Sequence, residues 1–374
     1  MRSRRFRFIA VSLFVVLAGL GAKVAFTRVP AVRRGIHQVH GAYHVHSSRA
    51  GGRGTPNAIA NAASQVGLDF VVLADHNVLS PESLAVHNGV LIIPATEEST
   101  GFGHVVSLGA SRTLTAAEKR DKPLAGIRAA GGVPMIAHPF NLRAPFSDWD
   151  ELDKAQGLEA LSYDDLWREA LRSPFSRGLV VGGLELPFNR RLAVSQLLRR
   201  PDGQLARWDA LRKTRPLVQA CAVDAHGWPD YASVLGFMSM YIDDLPSVHG
   251  PEDAPKILAA LESGHSFCAI DAVAPAGGFS FHADAPGIPS LSEGDHGTAP
   301  NRLLKVTLPE AAEQLHAHIH FFRDGKQMLN VPGPLQLAAP GPGDYRVEVW
   351  VKLPGAFWNG PKVPWIISNP IRLE

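Results

Sequence analysis

The sequence predicts an α/β fold with a largely parallel sheet or barrel, followed by a small antiparallel β-sandwich. Three observations carry this prediction. From residue 36 to about 225, short β-branched runs alternate with helical stretches, the signature of strand–helix–strand units. After Asp271, strand-like runs follow one another without helices between Pro-rich loops (PGIPS, VPGPL, APGPGD), as in a sandwich. The ends of the strands expected in the first part repeatedly carry His, Asp or Glu.

Arg2 to Arg7 is a basic patch, and Phe8 to Ala22 (FIAVSLFVVLAGLGA) is a run without charge. Together they read as a secretory signal or a short signal anchor over residues 8–26, below the roughly 20 residues of a comfortable span. An Ala-rich helix over Asn57–Gln65 precedes a strand over Asp69–Ala74. Further strands are expected at Val90–Pro94 and His104–Leu108. A helix over Ala116–Ala130, closed by Gly131-Gly132, leads to a strand over Val133–Ala137. Leu179–Leu186 and Pro216–Val223 complete the strands of the first part. The sandwich strands are expected at Gly278–Ala283, Leu303–Leu308, His316–Phe322 and Asp344–Lys352, with a hairpin turn at Asp324-Gly325. The implied boundaries are 1–34 for the leader, 35–270 for the α/β domain and 271–374 for the sandwich.

Composition narrows the function. With 374 residues, 45% of them hydrophobic and 19% charged, the chain is long enough to bury a core without staples and is neither disordered nor polytopic. The whole chain holds 37 basic and 35 acidic residues, but residues 1–34 hold eight basic and no acidic ones. The body is therefore acidic, and no nucleic-acid partner is expected. Export to the periplasm or the extracellular space is expected, with membrane contact only through the N-terminal segment. Cys221 and Cys268 lie in apolar strand-like runs, where a disulfide and a pair of buried thiols are both ordinary.

The chemistry lies in clustered ligands. His44 and His46 stand at i, i+2, a spacing that puts both imidazoles on one face of a strand. Asp75-His76 follow the strand VVLA, Glu97-Glu98 follow the strand ending at Pro94, and His104 opens the next strand. His138 follows MIA, and Asp224 and His226 follow QACAV. Strand ends of a parallel barrel share one face, where active sites of that architecture lie. Imidazoles with a few carboxylates suit Zn²⁺, Mn²⁺ or Fe²⁺, and this many ligands imply more than one ion, a set suited to hydrolysis.

These motifs resemble a known family. YHVHSS, TPNAIANAASQVGLDFVVLADHN, IPATEESTGFGHVVSLG, GGVPMIAHP and VDAHG are similar, in order and spacing over residues 38–228, to those of the PHP (polymerase and histidinol phosphatase) family. The tail, with KILAALESGHSF and PWIISNPIRL, is similar to the branch that includes the carbaryl hydrolase. The resemblance implies a distorted (β/α)7 PHP-type barrel with a C-terminal all-β, immunoglobulin-like sandwich. It implies two divalent ions, three being the alternative. It also implies hydrolysis of a small-molecule phosphoester by a metal-bridging hydroxide, with amide or carbamate hydrolysis as the alternative. A rival from another class is a non-catalytic, metal-stabilised binding module.

Carried over residue by residue, the resemblance puts His44 and His46 on a first ion and Glu97 between ions, Glu98 being the less suited neighbour. His76, His104 and His138 serve the other ion. Asp224 and His226 close the site, Asp224 also orienting the attacking water, and Asp75 serves as a ligand or as the water's partner. Asp75, Asp224 and His226 are thus the expected catalytic residues. Many relatives carry an acid or His where this chain has Gly51 in SSRAGGRG, which favours two ions over three. Arg49, Arg53 and Arg143 are the expected substrate-binding residues.

Glu185 is expected to orient a loop. The acidic, aromatic insert Phe146–Arg177 either shapes the substrate pocket or is a solvated helical hairpin. His316, His318 and His320 are expected on the polar face of a sandwich strand, without catalytic use, and His37 and His40 are incidental.

Overall fold

The computed structural model describes residues 2–27, 38–149, 151–173, 175–228, 230–298, 300–339, 341–353 and 360–374. The expected boundary at 34/35 and His37 lie outside these residues. Among the described residues, no helix is long and apolar enough to cross a membrane.

The chain is a mixed α/β protein. The leader forms helix α1 (Arg2–Phe26), then strand β1 (His40–Val45), helix α2 (Pro56–Gln65), β2 (Phe70–His76), β3 (Ala85–His87), β4 (Val90–Thr100) and β5 (Gly103–Leu108) follow. Next come α3 (Ala116–Asp121), α4 (Pro123–Ala129), β6 (Val133–Ile136), β7 (Gly157–Ser162), α5 (Tyr163–Arg172), α6 (Arg177–Glu185), α7 (Arg190–Ser195), α8 (Asp202–Arg212) and β8 (Val218–Ala222). Helix α9 (Tyr231–Leu235), β9 (Ser239–Ile242), α10 (Ala254–Ser263) and β10 (Ser266–Ala269) end the first part. The remainder comprises β11 (Ser280–Ala285), β12 (Ile288–Ser292), β13 (His296–Gly297), β14 (Leu303–Thr307), α11 (Ala311–Gln314), β15 (His318–Arg323), β16 (Lys326–Pro332), β17 (Leu335–Ala338), β18 (Gly343–Lys352), β19 (Lys362–Ser368) and β20 (Ile371–Leu373).

Local sequence explains most of these elements. Thr55 caps α2 by accepting a hydrogen bond from the Ala58 N–H, with Pro56 in the first turn, where its missing N–H costs nothing. Pro123 splits the single helix expected over Ala116–Ala130 into α3 and α4. Asp324 and Gly325, both at positive φ, make the two-residue turn between β15 and β16.

The first-part strands are ordered β9-β1-β2-β4-β5-β6-β7-β8. Neighbours from β1 to β8 are parallel except β5, which is antiparallel to both β4 and β6. The ends of this run meet. Val45 and Ala225 form a parallel bridge, and the Val223 N–H donates to the Tyr43 carbonyl at 3.1 Å.

Two expectations are corrected. Leu179–Leu186 is not a strand: Ser176 caps α6 there by accepting from the Leu179 N–H. A short apolar run does not distinguish strand from helix by periodicity. The missing strand is β7, within the insert read as helical. The insert therefore supplies a strand of the sheet as well as a helix, α5.

The C-terminal part is not detached. β10 pairs with β19, so the first-part strands continue into β19, β18 and β20 as one 16-stranded sheet. A second sheet, β12-β11-β14-β17, meets it where the ring of Phe281 lies 6.1 Å from that of Phe321. Buried Asn369 ties the halves together: its Oδ1 accepts from the Gln219 N–H at 2.8 Å, and its Nδ2 donates to the Ser266 carbonyl at 2.9 Å. Among the described residues, the main hydrophobic core runs from Val39 to Leu373. Cys221 of β8 and Cys268 of β10 form a disulfide. His316 precedes β15 at positive φ and is not on its face, while His320 stacks on Trp350 at 4.9 Å.

Candidate metal centre

The first-part strand ends bring eight ligand-type residues together. Among the described residues, four overlapping groups have ligand atoms within 4.8 Å of one another: His46, His76 and His226; His44, Glu97 and His138; His44, His46 and Asp224; and His76, Glu97 and His104. His44, His46, His76, Glu97, His104, His138, Asp224 and His226 each belong to at least one group, whereas Asp75 belongs to none.

The route to this convergence differs from simple strand alternation. His44 has a φ of 65° where the β1–β2 register shifts, and His46 lies past the end of β1. His138 and Asp224 also have positive φ, 25° and 47°. Three non-glycine residues in or near the left-handed region are costly, and such strain concentrates at functional sites. His104 is at the start of β5, yet it reaches the same edge because β5 runs antiparallel to β4. Glu97 lies within β4, which extends well past Pro94. Alternation along β4 sends Glu98 the other way, where it accepts from the Leu114 N–H at 3.0 Å and pairs with Lys119 at 2.9 Å.

Glu97 is the hub. Its Oε1 is 2.8 Å from His104 Nδ1 and 3.0 Å from His138 Nε2. Its Oε2 is 2.8 Å from His76 Nδ1 and 3.4 Å from Nε2 of both His44 and His46. That Oε2 is buried and accepts no hydrogen bond. An anionic oxygen enclosed by ring nitrogens and lacking a donor is suited to a cation. Asp224 Oδ1 is 3.1 Å from His46 Nε2. His226 lies 3.0 Å through Nδ1 from the Asp224 carbonyl and stacks on His46. A proton on that Nδ1 leaves Nε2 as the ligand atom.

The imidazoles and carboxylates of this cluster shift one another's protonation. Burial disfavours a charged His44, but Glu159, Glu97 and Asp224 outweigh it and raise its pKa well above the ordinary imidazole value. His138 is pushed up to about 9, its burial outweighed chiefly by the hydrogen bond to Glu97. Burial lowers the His46 pKa, and the charge on His44 acts in the same direction. Burial works against a charged Glu97, yet the neighbouring imidazoles hold its carboxyl well below the usual carboxylate range. These are sites where metal binding displaces protons.

A residue that sequence reasoning missed supports the centre. Glu159 of β7 is 2.7 Å through Oε1 from His44 Nδ1, and its Oε2 accepts from the His138 N–H at 2.6 Å. The signal available was the Gly157–Ser162 run (GLEALS) after the turn-like Gln156, hidden by the acidic helical residues that surround it. Asp165 of α5 was also missed. Burial raises its pKa to about 7, with Glu159, Asp164 and Asp224 adding to the shift against His138, and it accepts from Asn141 Nδ2 at 2.8 Å.

A cavity of about 200 Å³ at the centre is lined by Glu97, five of the imidazole and carboxylate ligands, and by Asn141, Arg143, Asp164 and Arg168. Of the expected substrate-binding residues, only Arg143 lines it. Arg49 pairs with Glu82 at the surface, and Arg53 is exposed with its N–H on the Tyr231 hydroxyl. Arg168, absent from the expected set, is there because α5 follows directly from β7. Asp75 is in none of the four ligand groups. Its two oxygens accept from the N–H and the hydroxyl of Ser47, each at 2.6 Å, so it holds the loop after His46. Gly51 has a φ of 103°, and a Cβ there would come within 2.9 Å of the His76 ring, so this loop packs directly on the imidazoles. Glu185 is buried in α6, away from the cavity.

No protein-family profile matches the chain, and no curated protein matches it. The solved structures similar in part include the following two. One is a two-domain protein from Bacteroides vulgatus containing a predicted PHP-like metal-dependent phosphoesterase. It is 13% identical, with a TM-score of 0.38, over 90% of this chain and 99% of that one. The other, from Bifidobacterium adolescentis, is provisionally assigned as a metal-dependent phosphoesterase. It is 14% identical, with a TM-score of 0.33, over 50% of this chain and 87% of that one.

Proposed function

We propose that this chain is an exported metal-dependent hydrolase of the PHP type, acting on phosphoesters. The observation that carries the proposal is Glu97, a buried carboxylate whose two oxygens face five imidazoles from four different chain segments. The motifs of residues 38–228 support the family. The run β1 to β8, with its ends joined at Val45 and Ala225, supports a seven-stranded barrel, and the sheet-on-sheet contact of Phe281 with Phe321 supports a sandwich after it.

Two divalent ions fit the centre, with the eight grouped residues as ligands. When bound they supply a nucleophile from water at neutral pH and charge stabilisation for the oxyanion. The protein's part is to hold the site. Glu159 fixes the ring of His44, Ser47 and Asp75 hold the loop behind His46, and Asp224 and His226 lie where an entering water is oriented. Arg143 and Arg168 line the cavity where a phosphate's free oxygens enter, and a planar guanidinium matches that geometry. Export is supported by the leader and by the Cys221–Cys268 disulfide, a bond of oxidising compartments.

The test is elemental analysis of the purified chain and of His46→Ala, with turnover of p-nitrophenyl phosphate, a phosphodiester and an aryl carbamate. Two ions per chain with phosphoester turnover lost in the variant is the expected result. Carbamate turnover alone would move the assignment to carbamates. One tightly held ion with every substrate untouched would make the protein a binding module.

A further inference from the structure

We propose that the face formed by α5, α6 and α7 docks on a lipid bilayer surface, with α1 entering the interface beside it. This goes beyond attachment through the N-terminal segment alone, and it does not rest on the reading of the metal centre.

The face is apolar where a soluble protein's surface is polar. Leu171, Phe175, Val180, Leu184, Phe188 and Trp228 are between 45% and 92% exposed. Helix α6 is inside out: its buried residues are Gly182 and Glu185, while Val180 and Leu184 point to solvent. A surface helix ordinarily buries its apolar stripe and exposes its acids. The band is continuous. Trp228 lies 6.4 Å from Trp167 of α5, α5 leads through Phe175 into α6, and α6 packs on α7 where Gly182 approaches the Ala193 carbonyl. An exposed apolar patch of this kind marks an interaction surface.

What covers the band is indicated by α1, which is fastened to it. Val24 is buried against Leu192, and the Phe188 ring sits so close to Gly21 that a Cβ there would meet it at 2.6 Å. The Asn189 side-chain amide donates to the Thr27 carbonyl at 3.0 Å. From this joint, residues 11–20 of α1 are exposed, with Val11, Leu13, Phe14, Val15, Val16 and Leu17 between 55% and 72% accessible. Two apolar surfaces thus meet at one junction. Residues 1–34 add eight basic and no acidic side chains. Apolar insertion combined with basic residues is the chemistry of an anionic bilayer interface. A second copy of the chain would bury the band but would leave the basic segment without a role.

The test is co-sedimentation of the full chain with vesicles of phosphatidylcholine alone and of phosphatidylcholine mixed with phosphatidylglycerol. The comparison is with Leu171→Ser/Phe175→Ser/Leu184→Ser, whose side chains are all exposed. The wild type should sediment with both and more completely with phosphatidylglycerol. The variant should partition roughly tenfold more weakly or worse, with an unchanged melting temperature and metal content. A variant that sediments like the wild type would overturn the proposal, since α1 alone would then do the binding. A wild type left in the supernatant would also overturn it, as would a wild-type dimer that the variant converts to monomer in light scattering. Sedimentation as expected without bound metal would leave this proposal standing and remove the hydrolase reading instead.

Discussion

Glu159 Oε1 lies 2.7 Å from His44 Nδ1, both side chains fully enclosed, and the other oxygen of Glu159 holds the His138 N–H. One carboxylate thus orients two candidate ligands from separate strands. A ligand imidazole whose second nitrogen is fixed in this way is better aimed and more basic. Glu159→Gln keeps the shape but loses the charge. It should weaken metal affinity about 10- to 100-fold in chelator competition, with the fold intact by circular dichroism.

Arg143 and Arg168 line the cavity at the centre without belonging to any ligand group. Arg168→Ala and Arg143→Ala should retain full metal content and lose roughly tenfold or more in kcat/KM on a phosphomonoester, about 1.4 kcal/mol each. Arg49→Ala, at the surface with Glu82, should be close to wild type in the same assay.

Glu293 is fully buried beside a second acid, Asp243, with which it shares a side-chain hydrogen bond. Burial raises its pKa well above the ordinary carboxylate value, and Asp243 adds to the rise. The folded chain therefore keeps a proton that the unfolded chain has released above about pH 4.3. The unfolded state binds fewer protons over this window, so stability falls as pH rises from that point through the raised folded pKa. Glu293→Gln should flatten this slope. It should raise the melting temperature at pH 8 by a few degrees, or roughly 1–3 kcal/mol, and change little at pH 4.

The Cys221–Cys268 disulfide closes a loop of sequence separation 47. In the chain-entropy account such a loop contributes about 4 kcal/mol. Cys221→Ser/Cys268→Ser should lose 2–5 kcal/mol in denaturant titration, and the wild type should show a similar loss under reductant.

β10 is sealed by β19, and Asn369 reaches both β8 and β10. A chain ending at residue 270 would expose the apolar faces of β9 and β10 and an unpaired sheet edge. Such a fragment should be insoluble or lack a cooperative melting transition, whereas an autonomous barrel would melt normally.

What the residues themselves determined was which imidazoles and carboxylates stand at the strand ends. The eight residues of the four groups could be singled out because each imidazole or carboxylate stands beside a recognisable apolar strand run. The turn at Asp324-Gly325 was legible because turn geometry depends on neighbouring residues, whereas the Thr55 cap of α2 was seen only in the structure. Tertiary structure decided what depends on distant partners. GLVVGGLE became a helix because it packs on α7 through Gly182, and GLEALS became a strand because β6 and β8 flank it; a short apolar run carries neither outcome in itself. The Cys pair was open in the sequence and closed only because β8 and β10 bring the two Cα atoms to 5.6 Å. Glu159 and Arg168 entered the site, and Arg49 and Arg53 left it, for the same reason. A side chain's charge is written in the sequence, but the direction it faces is set by the strand register and helix packing of segments far away.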